Sequence, residues 1–88
     1  EFSFCAMENL SGDSNSVGAD VTVETQAERT KRYKTYCEII MRLPYIIGWD
    51  WFQYFDQPPE GRFDGENSNY GIVSVDDKVY KELSSEMK

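Results

Sequence analysis

One uninterrupted apolar stretch, residues 45–55 (YIIGWDWFQYF), constrains the fold more than any other part of the chain. Apart from Gly48, Asp50 and Gln53, every residue in it is apolar or aromatic. A strand with one solvated face alternates apolar and polar residues, whereas a strand that is covered on both faces of a parallel sheet reads as a nearly continuous apolar run. The stretch therefore predicts a central strand of an α/β fold, covered on both sides.

A second strand is predicted at the start of the chain. Residues 1–6, EFSFCA, alternate around Phe2 and Phe4 in the way that a short strand does. Residues 8–20 are rich in Ser, Asn, Asp and Gly and indicate a loop. The first strand and the central strand are thus separated by a loop and by one further element.

That further element is predicted to be an amphipathic helix over residues 25–43. Thr25 and Glu28 have the spacing of a capping box, and Pro44 ends the helix because proline cannot continue one. A stripe of residues at helical spacing is expected to be buried, namely Tyr33, Tyr36, Cys37, Ile40 and Met41.

The last part of the chain predicts a loop and a second helix. Residues 56–70 indicate the loop, and residues 71–75, GIVSV, indicate a short extended piece. Asp76 or Asp77 is expected to cap the helix, whose apolar side includes Val79, Tyr80, Leu83 and Met87. The order strand, helix, strand, helix is that of a βαβα unit.

A βαβα unit of 88 residues leaves its sheet incomplete. Two parallel strands have two open edges, and the apolar run would be exposed on a face that a complete fold covers. The chain also begins at Glu1, without Met and inside a predicted strand. We therefore expect an α/β fold that is part of a larger domain, with further strands and helices before Glu1 and with ligand sites in the loops at the carboxyl ends of the strands.

Charge and composition exclude several classes of partner and chemistry. A net charge of −7 disfavours nucleic acids and anionic membranes, so a neutral ligand is expected. The absence of His excludes a histidine base and a His-ligated zinc site within these residues, and no cofactor or metal is predicted. Cys5 and Cys37 form no CxxC pair and are expected to be buried free thiols.

The aromatic run and the loop that follows it, DQPPEGRFDGENSNYG, together suggest a sugar site. Flat rings suit the apolar C–H faces of a sugar, and carboxylates and amides suit its hydroxyls. Two structural alternatives remain open. The aromatic residues could simply form a core, and Arg62 could pair with Asp64 or Glu66 to hold the loop internally.

Several short motifs, taken in combination, resemble glycoside hydrolases with a (β/α)8 barrel of clan A. They are Gln-x-x-Arg at the start of the first helix, Trp-Phe-Gln-Tyr, Asp-Gln-Pro, Gly-Arg and Asp-Gly-Glu-Asn. The pattern covers about two thirds of the chain and is most similar to family 50 β-agarases and to β-galactosidases. The resemblance implies that residues 1–88 are the carboxyl-terminal quarter of a TIM barrel, from its seventh strand to its eighth helix.

The resemblance also implies roles for individual residues. Glu1 lies where the clan places the catalytic nucleophile, and Trp51 corresponds to a ring that floors the sugar site. The peptide bond between Trp51 and Phe52 is expected to be a non-proline cis bond. The expected substrate-binding residues are Trp51, Gln53, Asp56, Arg62, Glu66 and Asn67.

The mechanism implied is retaining hydrolysis by two carboxylates about 5 to 5.5 Å apart. The second carboxylate belongs to the fourth strand of the clan, which this chain lacks, so the isolated 88 residues are expected to be inactive. The implied partners are an oligosaccharide or polysaccharide substrate and the remainder of the barrel. The resemblance is also compatible with a secreted or periplasmic location of the full-length enzyme. The alternative is a noncatalytic carbohydrate-binding or interaction module.

Overall fold

The computed structural model describes all 88 residues, Glu1–Lys88, and contains two short strands and two helices. Strand β1 is Cys5–Ala6 and strand β2 is Thr22–Val23; helix α1 is Gln26–Ile40 and helix α2 is Lys81–Glu86. The strands pair in parallel, with Cys5 opposite Thr22 and Ala6 opposite Val23. Neither helix is both long and apolar enough to cross a membrane.

Helix α1 begins where the sequence predicts. The Thr25 side chain accepts a hydrogen bond from the backbone N–H of Glu28 at 3.1 Å, which satisfies a donor that the first turn leaves free. The helix ends three residues earlier than expected. Of the predicted apolar stripe only Cys37 is buried; Tyr36 and Met41 are exposed, although the Phe2 ring stacks on one face of Tyr36.

The central strand predicted over residues 45–54 is not formed as a regular strand, so the expected barrel quarter is not confirmed. A single parallel bridge joins Phe2 to Trp51, in which the Phe2 N–H donates to the Asp50 carbonyl and the Phe52 N–H donates to the Phe2 carbonyl. A strand requires a continuous ladder of such bonds, whereas the remaining long-range backbone bonds of this stretch are isolated ones from Gln53 to the Tyr70 carbonyl and from Ile72 and Val73 to the Tyr54 carbonyl. Ile47, in the same stretch, is fully exposed.

The carboxyl-terminal helix is also shorter than predicted and is capped differently. Its N-cap is Tyr80, whose side chain makes no capping bond, so the expected cap by Asp76 or Asp77 is wrong. Asp77 instead lies in a turn with a positive φ of 64°, and its N–H donates to the Ser74 carbonyl. Of the predicted apolar side, Tyr80 and Leu83 are buried.

Both cysteines are free and buried, which confirms the expectation for them. Burial raises the pKa of the Cys5 thiol to about 12. The thiol at this position is therefore neutral and packs as part of the core.

Candidate functional site

The first residues of the chain present two different faces. Phe2 stacks on Tyr36 of helix α1 with ring centroids 4.1 Å apart, and Phe4 meets the same ring edge-on at 6.0 Å. Because side chains alternate along an extended segment, Glu1 and Ser3 lie on the opposite side from Phe2 and Phe4. Glu1 is exposed and sits beside the bridge between Phe2 and Trp51.

Two further acidic residues share the surroundings of Glu1. The pKa of Asp20 is raised by partial burial and, beyond that, by the negative charges of Glu66 and Glu1. The negative charges of Glu1 and Glu66 thus each act on Asp20, while the three side chains do not form a group that could hold a metal ion. We call the surface defined by Glu1, Asp20 and Glu66 the acidic face. The sequence gives no sign of a role for Asp20, because the polar loop before it carries no recognisable motif.

The loop over residues 56–67 is held by an internal ion-pair network. The Arg62 guanidinium donates to both carboxylate oxygens of Asp64 at 2.7 Å and also to Glu66. The hydrogen bond from Arg62 is the main reason why the pKa of Asp64 falls to about 2. The alternative that Arg62 pairs with Asp64 or Glu66 to hold the loop internally is therefore confirmed.

Asn67 joins this loop to the loop over residues 8–20. Its side-chain oxygen accepts from the backbone N–H of Val17 at 2.9 Å, and its amide nitrogen donates to the hydroxyls of Ser14 at 3.1 Å and Ser16 at 2.9 Å. The loop over residues 8–20 therefore fixes the position of the loop over residues 56–67 next to Glu66.

Asp56 lies in the interior rather than on an open surface. It is only 4% exposed, and its carboxylate accepts four hydrogen bonds of 2.6 to 2.8 Å. The donors are Ser11 Oγ, Asn69 Nδ2, the Gly71 N–H and Tyr80 Oη. These bonds occupy the carboxylate within the protein, where it links segments that are far apart in the sequence.

Trp51 also makes its contacts within the protein. Its indole N–H donates to the Tyr70 carbonyl at 2.9 Å, and its ring lies edge-to-face with Phe2 and with Tyr33, each at 5.6 Å. Since Tyr33 belongs to helix α1, the ring packs on the helix side, away from Glu1. These contacts favour the core-packing alternative for Trp51.

Gln53 is half-buried, and its amide nitrogen donates to the Phe55 carbonyl at 2.8 Å. The non-proline cis peptide bond joins Phe52 to Gln53, so the expectation of a cis bond between Trp51 and Phe52 is wrong by one residue. The backbone N–H of Gln53 donates to the Tyr70 carbonyl, which therefore serves both Gln53 and Trp51.

Arg29 connects the first strand segment, helix α1 and the aromatic residues, a role that the sequence did not reveal. The side chain is fully buried, and its guanidinium donates to the carbonyls of Phe4 and Gly71, both at 2.7 Å. It lies 5.4 Å from the ring centroid of Trp51 and 5.3 Å from that of Tyr80. Burial lowers the pKa of Arg29 to about 10, an effect that the nearby Asp56 carboxylate opposes, so the guanidinium remains charged.

Asp13 is a second buried carboxyl group, and it is poorly accommodated. It is 3% exposed, and neither of its oxygens has a hydrogen-bond partner. Burial raises its pKa to about 7, and the negative charges of Asp56 and Glu60 add to this shift.

No group of three or more His, Cys, Asp or Glu side chains is arranged to hold a metal ion.

The environment of Asp13 predicts a dependence of stability on pH. Between about pH 4 and pH 7 the folded state holds a proton on Asp13 that the unfolded chain has lost, so the free energy of unfolding falls as the pH rises. One pKa unit corresponds to about 1.4 kcal/mol, which gives a loss of about 2 to 4 kcal/mol across this range. Melting temperatures measured from pH 4 to pH 8 check this, and Asp13→Asn should remove most of the slope. An equal slope in the variant and the wild type would contradict it.

Comparison with known proteins identifies relatives of one kind. No protein-family model matches the chain. The chain is 45% identical to β-agarase B of Vibrio sp. (strain JT0107) over 67 residues, which cover 75% of this chain and 7% of that protein. It is 38% identical to β-agarase A of the same strain over 82 residues, which cover 91% of this chain and 8% of that protein.

Solved structures give the same result. The structure of an exo-β-agarase matches 97% of this chain with a TM-score of 0.86 and 37% identity, and the match covers 11% of that protein. The crystal structure of another agarase matches 97% with a TM-score of 0.83 and 35% identity, and the match covers 12% of that protein. The chain thus spans less than an eighth of the length of these relatives. The sequence relatives of this chain are β-agarases and its structural neighbours are agarases, and the chain corresponds to a short segment of each.

Proposed function

We propose that the chain is the carboxyl-terminal quarter of a (β/α)8-barrel glycoside hydrolase that cleaves a galactose-containing polysaccharide, as a β-agarase does. The observation that carries the proposal is the position of Glu1. It is exposed, lies opposite the helix-packing side of its segment and shares the acidic face with Asp20 and Glu66, in a chain whose relatives are β-agarases.

In the proposed mechanism Glu1 is the nucleophile of a retaining hydrolysis. Its carboxylate attacks the anomeric carbon while the glycosidic C–O bond breaks, and a second carboxylic acid gives its proton to the leaving oxygen. Water then attacks the glycosyl ester, gives a proton to that second carboxylate and releases Glu1. The second carboxylate would come from the rest of the barrel, so the isolated 88 residues would be inactive.

The proposed cleft wall consists of Gln53, Arg62, Glu66 and Asn67. Arg62 and Glu66 are partly buried and fixed by their ion pair, so they can offer hydrogen bonds to sugar hydroxyls without losing side-chain freedom on binding. Trp51 and Asp56 support this wall from the interior, as their buried contacts indicate.

The natural polypeptide that carries these residues provides the test. It should release reducing ends from agarose and from neutral agaro-oligosaccharides, and proton NMR of the first product should show the anomeric configuration of the substrate. Small β-galactosides serve as the comparison substrates. A polypeptide that binds these saccharides without cleaving them would overturn the enzymatic proposal in favour of the noncatalytic module, and inversion of configuration would overturn the nucleophilic role of Glu1.

A further inference from the structure

Phe63 is the most conspicuous exposed aromatic residue that the proposed cleft wall does not use. Its side chain is 96% exposed at the tip of the loop over residues 56–67. It is the only apolar side chain among residues 60–69, EGRFDGENSN. An isolated ring surrounded by polar groups differs from residues 45–47, where consecutive exposed apolar side chains have the character of a protein-packing surface.

The backbone that carries Phe63 is ordered by its own hydrogen bonds. The Arg62 N–H donates to the Glu66 carbonyl at 2.9 Å, and the Gly65 N–H donates to the Arg62 carbonyl at 2.8 Å. Gly61 and Gly65 have φ values of 96° and 86°, in a region that favours glycine and allows the tight turn. The exposed ring is thus presented on a closed turn and not on a free chain.

The Arg62 side chain also restrains the ring. Its guanidinium carbon lies 5.4 Å from the ring centroid, and the same guanidinium is held by Asp64 and Glu66. A ring restrained in this way loses little freedom when a ligand stacks on its open face. The Glu66 carbonyl closes the turn, so Phe63 is carried by the same turn as this residue of the acidic face.

We propose that Phe63 forms a stacking subsite for one sugar unit of an uncharged polysaccharide, on the turn that also carries Glu66. The proposal rests on the proposed function and specifies the substrate further. The apolar C–H face of a sugar fits the flat ring, while the Asp64 carboxylate beside the ring can accept hydrogen bonds from hydroxyls. The net charge of −7 and the carboxylates of Asp64 and Glu66 disfavour a sulfated or otherwise anionic chain.

The test uses the natural polypeptide, a series of neutral agaro-oligosaccharides of increasing length, and the variants Phe63→Leu and Phe63→Trp. Leucine keeps an apolar side chain but removes the flat ring. It should raise KM about 3- to 10-fold for the longer oligosaccharides, a loss typical of one aromatic stacking contact. The shortest cleaved substrate should be unaffected, and kcat and the melting temperature should not change. Phe63→Trp, which keeps a flat aromatic ring, should have a KM close to that of the wild type.

Several outcomes would overturn the subsite. They are an unchanged KM for every length in Phe63→Leu, an equal increase for all lengths, and a lowered melting temperature, which would show that the ring packs against another part of the polypeptide. If the wild type cleaves no saccharide, the proposed function fails, and Phe63→Trp still tests the subsite. Its fluorescence should shift on titration with long neutral oligosaccharides but not with sulfated ones, and the absence of any shift would contradict the proposal.

Discussion

Replacing Glu1 with glutamine in the natural polypeptide is expected to lower kcat for agaro-oligosaccharides by about 10⁴-fold or more, a loss on the scale seen when a catalytic nucleophile is removed. Glutamine has the same size and shape but its amide does not form the glycosyl ester. Since Glu1 is exposed and makes no hydrogen bond within the chain, the substitution should leave the melting temperature unchanged. Substrate affinity should change by only a few fold.

The control for this prediction is Glu38→Gln, which alters an exposed carboxylate on helix α1. It removes the same charge and should leave kcat and KM at their wild-type values. A second variant, Glu1→Gly, should regain activity when azide is added and should give a glycosyl azide of inverted configuration, because azide attacks where the carboxylate did. Retention of more than a tenth of the wild-type kcat in Glu1→Gln would show that Glu1 is not the nucleophile.

Replacing Arg29 with methionine is expected to lower the free energy of unfolding by about 3 to 5 kcal/mol, because it removes a buried guanidinium that binds two backbone carbonyls and whose charge acts on the buried Asp56 carboxylate. Methionine retains much of the apolar stem, so the loss comes from the guanidinium. The carbonyls of Phe4 and Gly71 would be left without this donor, and the Asp56 carboxylate would remain buried without a nearby positive charge.

Denaturant unfolding measures this loss, with Arg32→Met on the exposed side of the same helix as the control, for which a change below about 0.5 kcal/mol is expected. Arg29→Lys should recover only part of the loss, because an ammonium group does not reproduce the forked geometry of the guanidinium. Combining Arg29→Met with Asp56→Asn should cost less than the sum of the two single changes, since the two groups interact. Additive losses, or a loss below about 1 kcal/mol for Arg29→Met, would contradict this role of Arg29.

Local signals in the sequence predicted local structure well. The capping bond from Thr25 and the alternation around Phe2 and Phe4 depend on residues a few positions apart, although the regular strand covers only Cys5–Ala6 of the predicted residues 1–6. The run at 45–54 is different. Its apolar character indicates burial on both faces, but a strand also needs neighbours that supply a hydrogen-bonded ladder, and this chain supplies one bridge.

The same distinction applies to the site. The pairing of Arg62 with Asp64 and Glu66 was foreseen as one of two alternatives because the three residues lie within a single turn. The burial of Asp56 depends on donors from 13 to 45 residues away, and no local pattern encodes them. Phe63 was overlooked for a related reason: a single aromatic residue in a polar loop shows its exposure only when the turn that presents it is known.

The most direct test of the account is to trap the covalent intermediate on the natural polypeptide. A 2-deoxy-2-fluoro-galactoside with a good leaving group slows hydrolysis of the glycosyl ester, so a retaining enzyme accumulates the ester on its nucleophile. Peptide mass spectrometry should find the sugar on the peptide that contains the sequence EFSF, with fragmentation assigning it to Glu1. A label on any other carboxylate, from a polypeptide that is active and retaining, would contradict the central claim.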